Sequence, residues 1–154
     1  SDCYSDCIDL DYSSSDMSDI QIDRAGNDGI DFMGTRAVLS QIKINGANDK
    51  GLSVGEKSDV HVSSASIERA TIGLAVKDAS TLNVDKIDLM QSEIAIDVFV
   101  KHKIYGAPGS ITASEATFSQ NEVNIRSQEG GVILFKGQNV PDKISGDGRI
   151  ESIN

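Results

Sequence analysis

Apolar and polar residues alternate in a short pattern that returns every 22 positions along the chain. Residues 29–36 read GIDFMGTR, residues 51–58 read GLSVGEKS and residues 73–80 read GLAVKDAS. Each window opens with glycine and continues with an apolar residue, a small or acidic one and another apolar one. Strict alternation is typical of a strand with one buried face, because successive side chains point to opposite sides. A helix would need apolar residues three and four positions apart, which these windows lack.

The same register continues before and after these three windows. It begins at Cys7 in CIDLDYSS and reaches Ala95 in AIDVFVKH, always in steps of 22. The second position of the five windows is occupied by Ile8, Ile30, Leu52, Leu74 and Ile96. The fourth position is occupied by Leu10, Phe32, Val54, Val76 and Val98. Every one of these residues is large and apolar, so two continuous columns are expected to face a core.

Further short apolar runs within each window predict two or three strands per turn. Examples are IQI at 20–22, IKI at 42–44, DVHV at 59–62 and TLNV at 81–84. Short strands repeated in register are typical of a solenoid, in which a single turn cannot bury its apolar face alone. We therefore predict an all-β, right-handed parallel β-helix with 22-residue turns stacked about 4.8 Å apart. The repeat indicates five to six turns.

The repeat is interrupted once. The next match after Ala95 is Asn124 in NIRSQEGG, which is 29 residues further on instead of 22. We predict that the additional residues form a loop inserted at 102–110, since an insertion can leave a solenoid only by bulging from its surface. The regular turns are expected over 7–134, and the polar segment 135–154 is expected to close the core.

The beginning of the chain carries no amphipathic segment that would cover the first turn. An open end of a solenoid exposes apolar surface and unpaired strand edges. We therefore expect a single β-helix domain over 1–154 that is the C-terminal part of a longer β-helix, or one whose end is covered by another protomer.

The charge balance excludes several classes of partner. The 154 residues carry a formal net charge of −10, which disfavours nucleic acids and anionic membrane surfaces, because both require a basic face. No apolar run approaches the roughly 20 residues that a membrane-spanning helix needs. The remaining candidates for partners are a carbohydrate or another protein.

The two cysteines, Cys3 and Cys7, are four residues apart. They are too few for a disulfide framework, and without a second pair they do not make a zinc site. The spacing allows a local disulfide, but we favour two free thiols.

The stretch from residue 26 to residue 80 resembles the right-handed β-helix repeats of the pectate-lyase-like superfamily, and the likeness extends over 7–134. It implies the β-helix fold and an extracellular or cell-surface location. Members of that superfamily include polysaccharide lyases, hydrolases, epimerases and phage tailspikes, as well as proteins without demonstrated chemistry. The fold therefore does not decide the activity.

One candidate site is an acidic ladder made of Asp9, Asp11 and Asp31. Asp9 and Asp31 are one turn apart and are expected to lie one above the other. Their carboxylates favour calcium as the candidate ion, or they form the carboxylate pair of a hydrolase. The alternative is a solvated polar face, which we prefer.

A second candidate site lies at the end of the same strand column. Its members in three successive turns and the inserted loop are Glu56, Lys57, Lys77, Asp78, Phe99, Lys101, His102 and Tyr105. The aromatic rings could stack on a sugar, and a Lys or Tyr base beside a carboxylate suits a lyase or an epimerase. The alternative is a set of ion pairs between turns, from Glu56 to Lys77 and from Asp78 to Lys57 or Lys101.

Three functions remain open after these considerations. We favour a non-catalytic extracellular or surface module that binds or scaffolds a carbohydrate or a protein. The first alternative is the C-terminal portion of a polysaccharide lyase, epimerase or hydrolase that acts on an acidic glycan. The second alternative is the shaft of a tailspike or adhesin.

Overall fold

The computed structural model describes residues 2–154, which form an all-β parallel solenoid of about seven turns. The strands in chain order are β1 (Asp2–Cys3), β2 (Ile8–Asp11), β3 (Ser14–Ile22), β4 (Arg24–Ala25), β5 (Ile30–Met33), β6 (Arg36–Gly55), β7 (Asp59–Lys77), β8 (Thr81–Met90), β9 (Ile94–Phe99), β10 (Ser110–Ser119), β11 (Val123–Ser127), β12 (Val132–Lys136), β13 (Ile144–Ser145) and β14 (Arg149–Ile153). A single 3₁₀ turn covers Lys103–Tyr105. The β-helix predicted from the 22-residue repeat is confirmed.

The strand register reproduces the predicted column of apolar residues. The successive parallel partners are Ile8, Ile30, Leu52, Leu74, Ile96, Ile125 and Ile144. The predicted number of turns was too small, because the segment 135–154 adds β13 and β14 to the stack. The spacing from Ile125 to Ile144 is shorter than the regular repeat, so the repeat did not predict this last turn.

The core is the aliphatic column inside the turns. Leu52, Leu74 and Ile96 are each 0% exposed, as the alternating pattern predicts. Burial of a Leu or Ile side chain stabilises a fold by roughly 1.5–3 kcal/mol relative to its exposure. The stack therefore accumulates stability from equivalent positions in neighbouring turns.

A ladder of hydroxyl groups supports the corner that follows the first strand in successive turns from Ser13 to Ser80. The hydroxyl of Thr35 accepts a hydrogen bond from the Ser13 N–H at 3.2 Å. The Thr35 N–H donates to Ser58 Oγ at 3.0 Å, and the Ser58 N–H donates to Ser80 Oγ at 3.1 Å. Each hydroxyl thus satisfies a backbone donor of the preceding turn, which a buried N–H group requires.

The glycine at the start of each window is explained by a close approach between turns. A Cβ atom added to Gly51 would lie 2.4 Å from Ile67 Cγ2 and 2.6 Å from the Gly73 carbonyl oxygen. No larger residue fits there without moving the next turn. The small residues that open the repeat are thus a packing requirement of the stack.

The register confirms the predicted change from 22 to 29 residues. Ile96 pairs with Ile125, and Thr81 pairs with Ser110 on the next column of strands. The additional residues leave the stack between Phe99 and Ser110. The Ala79 N–H donates to the Ala107 carbonyl at 2.9 Å, which holds the returning part of this loop against the corner.

The structure corrects the preference for free thiols, because Cys3 and Cys7 form a disulfide with a Cα–Cα distance of 5.2 Å. The four-residue spacing lets the short segment between β1 and β2 bring the two sulfurs together. Within residues 2–154, the structure contains no helix of the length and apolar character that a membrane span requires.

Candidate functional site

The candidate site lies on the outward side of the strands that carry the aliphatic column, which we call the outer face. Outward positions in successive turns are occupied by Asp31, Ser53, Ala75 and Asp97. The next outward row contains Lys77 and Phe99, which are register partners in β7 and β9. Because these strands are parallel and in register, side chains of three turns meet on one surface.

Lys77 is buried on this face, whereas the binding or catalytic role predicted from the sequence requires an accessible side chain. The residue is 1% exposed, and a Cβ on Gly55 would lie 2.6 Å from Lys77 Cε. Its Nζ donates to Ser53 Oγ at 2.7 Å and lies 3.6 Å from Asp31 Oδ1. The lysine therefore lies flat across the glycine of the preceding turn and forms its ion pair with Asp31.

Glu56, Asp78 and His102 converge beside this lysine and form what we call the carboxylate–histidine cluster. Glu56 and Asp78 occupy equivalent corner positions one turn apart, with left-handed backbone angles of φ 54° and φ 55°. His102 begins the inserted loop, and its Nε2 lies 3.4 Å from Glu56 Oε1. One ligand atom from each of the three side chains lies within 4.8 Å of the others.

The inserted loop is held to the cluster by Asp78. Asp78 is 0% exposed, and its Oδ1 accepts hydrogen bonds from the Lys101 N–H at 2.7 Å and the His102 N–H at 2.8 Å. These two bonds determine where the loop leaves the stack and place His102 over Glu56. The ion pair from Asp78 to Lys101 proposed from the sequence is replaced by these backbone contacts.

The cluster has an excess of negative charge in a desolvated position. Burial raises the pKa of Glu56, with the Lys77 ammonium opposing this effect and the Asp78 and Asp31 carboxylates adding to it. His102, half exposed, also lowers the pKa of Glu56. A bound cation would relieve this repulsion.

Aromatic side chains border the cluster on its solvent side. The rings of His102 and Tyr105 meet edge to face with centroids 6.4 Å apart. Desolvation and the neighbouring Tyr12 raise the pKa of Tyr105. Tyr12 is 72% exposed and Ile104 is 89% exposed. The inserted loop thus presents apolar surface next to buried carboxylates.

A cleft of about 370 Å³ lies beside Phe99 on the same face. Its lining includes Ile72, Asp97, Phe99, Arg126 and Gln128. Arg126 Nε donates to Asp97 Oδ1 at 3.0 Å, and Arg126 Nη2 bonds the other carboxylate oxygen. The cleft therefore combines an aromatic ring with a fixed, planar polar pair.

The predicted site residues separate into two groups. Glu56, Asp78 and Tyr105 lie at the carboxylate–histidine cluster and its border, whereas Phe99 lines the cleft. Lys101 is exposed and contributes its backbone N–H to Asp78.

The acidic ladder is present as a stack, since Asp9 pairs in register with Asp31 and Asp11 with Met33. Asp31 forms its ion pair with Lys77. A calcium ion at Asp9, Asp11 and Asp31 stays a prediction.

Two residues of the site were missed in the sequence analysis. Asp97 and Arg126 are 29 residues apart, which is the spacing already known from Ala95 and Asn124. If the register is continued across the interruption, it predicts that these two residues are neighbours in successive turns. The proximity of His102 to Glu56, in contrast, depends on the path of the inserted loop.

Comparisons of this chain with protein-family models, with curated proteins and with solved structures found no match.

Proposed function

We propose that this protein is a non-catalytic extracellular or surface module that binds a carbohydrate in the cleft beside Phe99. The observation that carries the proposal is the combination of Phe99 with the bidentate Arg126–Asp97 pair in one open cleft. The cleft volume of about 370 Å³ falls in the range of roughly 300–1,000 Å³ that small-ligand sites occupy.

The chemistry of the cleft suits a sugar. An aromatic ring offers a flat apolar surface for the C–H face of a pyranose, and a fixed polar pair orients hydroxyl groups. Arg126 is about half exposed while Asp97 is nearly buried, so the guanidinium keeps donors for a ligand after it has bound the carboxylate. An acidic sugar is favoured, because its carboxylate would meet this guanidinium.

A location outside the cytoplasm is part of the proposal. The Cys3–Cys7 disulfide supports it, because disulfides persist in oxidising compartments. The resemblance to the pectate-lyase-like superfamily supports it as well, and we also propose that the chain is a member of that superfamily.

The catalytic alternative has less support from the geometry. A lyase base must reach its substrate, whereas Lys77 is buried and its Nζ is engaged with Ser53 and Asp31. Of the lysines named at this site, Lys57 and Lys101 are exposed. A scaffold or shaft function would use the length of the stack and would leave the cleft without a ligand.

The proposal is tested with a panel of neutral and uronate-containing oligosaccharides, with binding measured by calorimetry. Phe99→Ala should abolish binding while the far-ultraviolet circular dichroism is retained. Val38→Ala is the matched control, because Val38 is an exposed apolar strand residue outside the cleft, and its affinity should equal that of the wild type.

Two results would overturn the proposal. One is the absence of binding to every oligosaccharide of the panel. The other is the release of unsaturated products from a uronate polymer, followed by absorbance, with the rate lost in Lys101→Ala.

A further inference from the structure

We propose that Glu56, Asp78 and His102 bind one divalent metal ion of the zinc class. The site is separate from the carbohydrate cleft, and the inference does not depend on the proposed function. It assigns a role to a buried carboxylate pair and a histidine that sugar binding does not use.

The three side chains are arranged as ligands of a single ion. One ligand atom from each residue lies within 4.8 Å of the others, and within residues 2–154 no other set of three His, Cys, Asp or Glu side chains does so. The His102 Nε2 to Glu56 Oε1 distance is 3.4 Å. Two ligands about 2.1 Å from a tetrahedral ion are separated by about 3.4 Å. The distance between His102 Nε2 and Glu56 Oε1 therefore already fits two ligands of one ion.

Asp78 supplies an observation that is independent of the cluster. Its Oδ1 accepts the Lys101 and His102 N–H groups, whereas its Oδ2 is buried and has no hydrogen-bond partner within residues 2–154. A buried carboxylate oxygen without a donor is costly, and such an atom in a folded protein requires an explanation. A cation bound between Asp78, Glu56 and His102 provides its missing partner.

The ligand types select the class of metal. Calcium and magnesium prefer oxygen ligands, whereas an imidazole nitrogen with carboxylate oxygens suits zinc and related first-row ions. Three protein ligands leave a fourth position for water. The two carboxylates would balance the charge of a divalent ion, because the nearby Lys77 ammonium already lies beside Asp31.

The three ligands come from three successive turns, and His102 belongs to the inserted loop. Metal binding would therefore tie this loop to two corners of the stack. Tyr105, which meets the His102 ring, would be held in place with it.

The experiment uses the full chain after removal of metal with a chelator. Calorimetry with Zn²⁺ should give one ion per chain, and Co²⁺ should give the visible absorption of a protein-bound ion. His102→Ala, Glu56→Gln and Asp78→Asn should each weaken Zn²⁺ binding by more than about 100-fold. Loss of a residue that only hydrogen-bonds to a metal ligand weakens binding by about 10- to 100-fold, and loss of a ligand itself should have a larger effect. Asn retains an oxygen that can accept the loop N–H groups, so Asp78→Asn tests ligation with the loop contact preserved.

His61→Ala is the matched control. His61 is the other histidine of the chain, and it also lies near a carboxylate, with Nε2 3.2 Å from Asp85 Oδ2. Its replacement should leave Zn²⁺ affinity unchanged, and imidazole nitrogen resonances should shift for His102 alone.

The proposal fails if Zn²⁺ does not bind, if His102→Ala binds as tightly as the wild type, or if both histidine variants lose affinity equally. Calcium binding that survives His102→Ala would also overturn it, because that result indicates a site made of oxygen atoms only. In each of these cases the His102–Glu56 contact is an ion pair within the protein and not a metal site.

Discussion

Lys77 Nζ lies 2.7 Å from Ser53 Oγ in the preceding turn and 3.6 Å from Asp31 Oδ1 two turns away. One buried lysine thus connects three consecutive turns on the outer face. Asp31 Oδ1 is itself buried and makes no hydrogen bond within residues 2–154. The positive charge of Lys77 is therefore the main compensation for the negative charge of Asp31.

Lys77→Met should destabilise the fold by about 3 kcal/mol, because it leaves the Asp31 carboxylate without its partner. The free energy of unfolding from denaturant titration measures this loss. Lys43→Met is the control, since Lys43 is exposed on a neighbouring strand and should change stability by less than about 0.5 kcal/mol. An equal effect of both variants would contradict a structural role for the buried ion pair.

Ser58→Ala should cost about 1–3 kcal/mol, because the Thr35 N–H would lose its acceptor in a buried corner. Ser58 Oγ also donates to the Gly55 carbonyl at 2.6 Å, and this bond disappears as well. Ser114→Ala, at an exposed strand position, should have almost no effect. Thermal unfolding of the two variants compares them directly, and similar midpoints would show that the hydroxyl ladder contributes little.

A comparison of Gly34→Ala with Gly137→Ala separates the cost of backbone strain from the cost of a steric contact. Gly34 has φ 58°, and a Cβ there would lie 2.6 Å from the Tyr12 ring. Gly137 has φ 63° with no atom within 4 Å of an added Cβ. Both alanine variants should lose about 1 kcal/mol from the left-handed backbone, and Gly34→Ala should lose more because it displaces Tyr12.

Near-ultraviolet circular dichroism should report the displacement of Tyr12 in Gly34→Ala only. An unchanged tyrosine signal in this variant, with the same loss of stability as in Gly137→Ala, would contradict the contact.

Asp28→Asn should stabilise the protein at neutral pH. Burial raises the pKa of Asp28 above its ordinary value of 3.8, and the Lys50 N–H and ammonium oppose this effect only in part. The folded state therefore retains a proton that the unfolded state releases, so stability falls as the pH rises from 3.8 through the folded-state pKa. Asparagine avoids this cost and retains Oδ1 as the acceptor of the Lys50 N–H. Burial lowers the pKa of Lys50, but Asp49 and, after it, Asp28 raise it above its ordinary value. The ammonium keeps its ion pair with Asp49 in the variant.

Unfolding free energies of Asp28→Asn and the wild type, measured between pH 3 and pH 8, test this prediction. The advantage of the variant should be largest near neutral pH and should disappear below pH 3.8. Asp147→Asn, at an exposed position, should show no such dependence. A variant less stable than the wild type at pH 7 would show that the Lys50 ion pair outweighs the cost of burial.

The fold was predictable because every turn must place apolar side chains at the same positions of the core. Ile8, Ile30 and Leu52 must each fill the same column, so the repeat is visible as apolar residues at one spacing. The change of register at Ile125 was detectable for the same reason. The final turn escaped detection because Ile144 follows at a shorter spacing, where a single isoleucine makes no pattern.

The site was predictable only where the stack determines it. Register placed Glu56 above Asp78 and Lys77 above Phe99, as the repeat implies. The burial of Lys77 depends on the absence of a side chain at Gly55 and on the carboxylate of Asp31 two turns away. Strand alternation predicts the face of the sheet to which a side chain points. It does not predict the conformation that a long, flexible side chain such as that of Lys77 adopts on this face.

The segment between Phe99 and Ser110 departs and returns while the turns on both sides keep their pairing. Its length is consequently independent of the aliphatic column. A different peptide could be grafted between His102 and Ala107, and new recognition chemistry could evolve there, provided that the backbone contacts of the loop ends with Asp78 and Ala79 are kept.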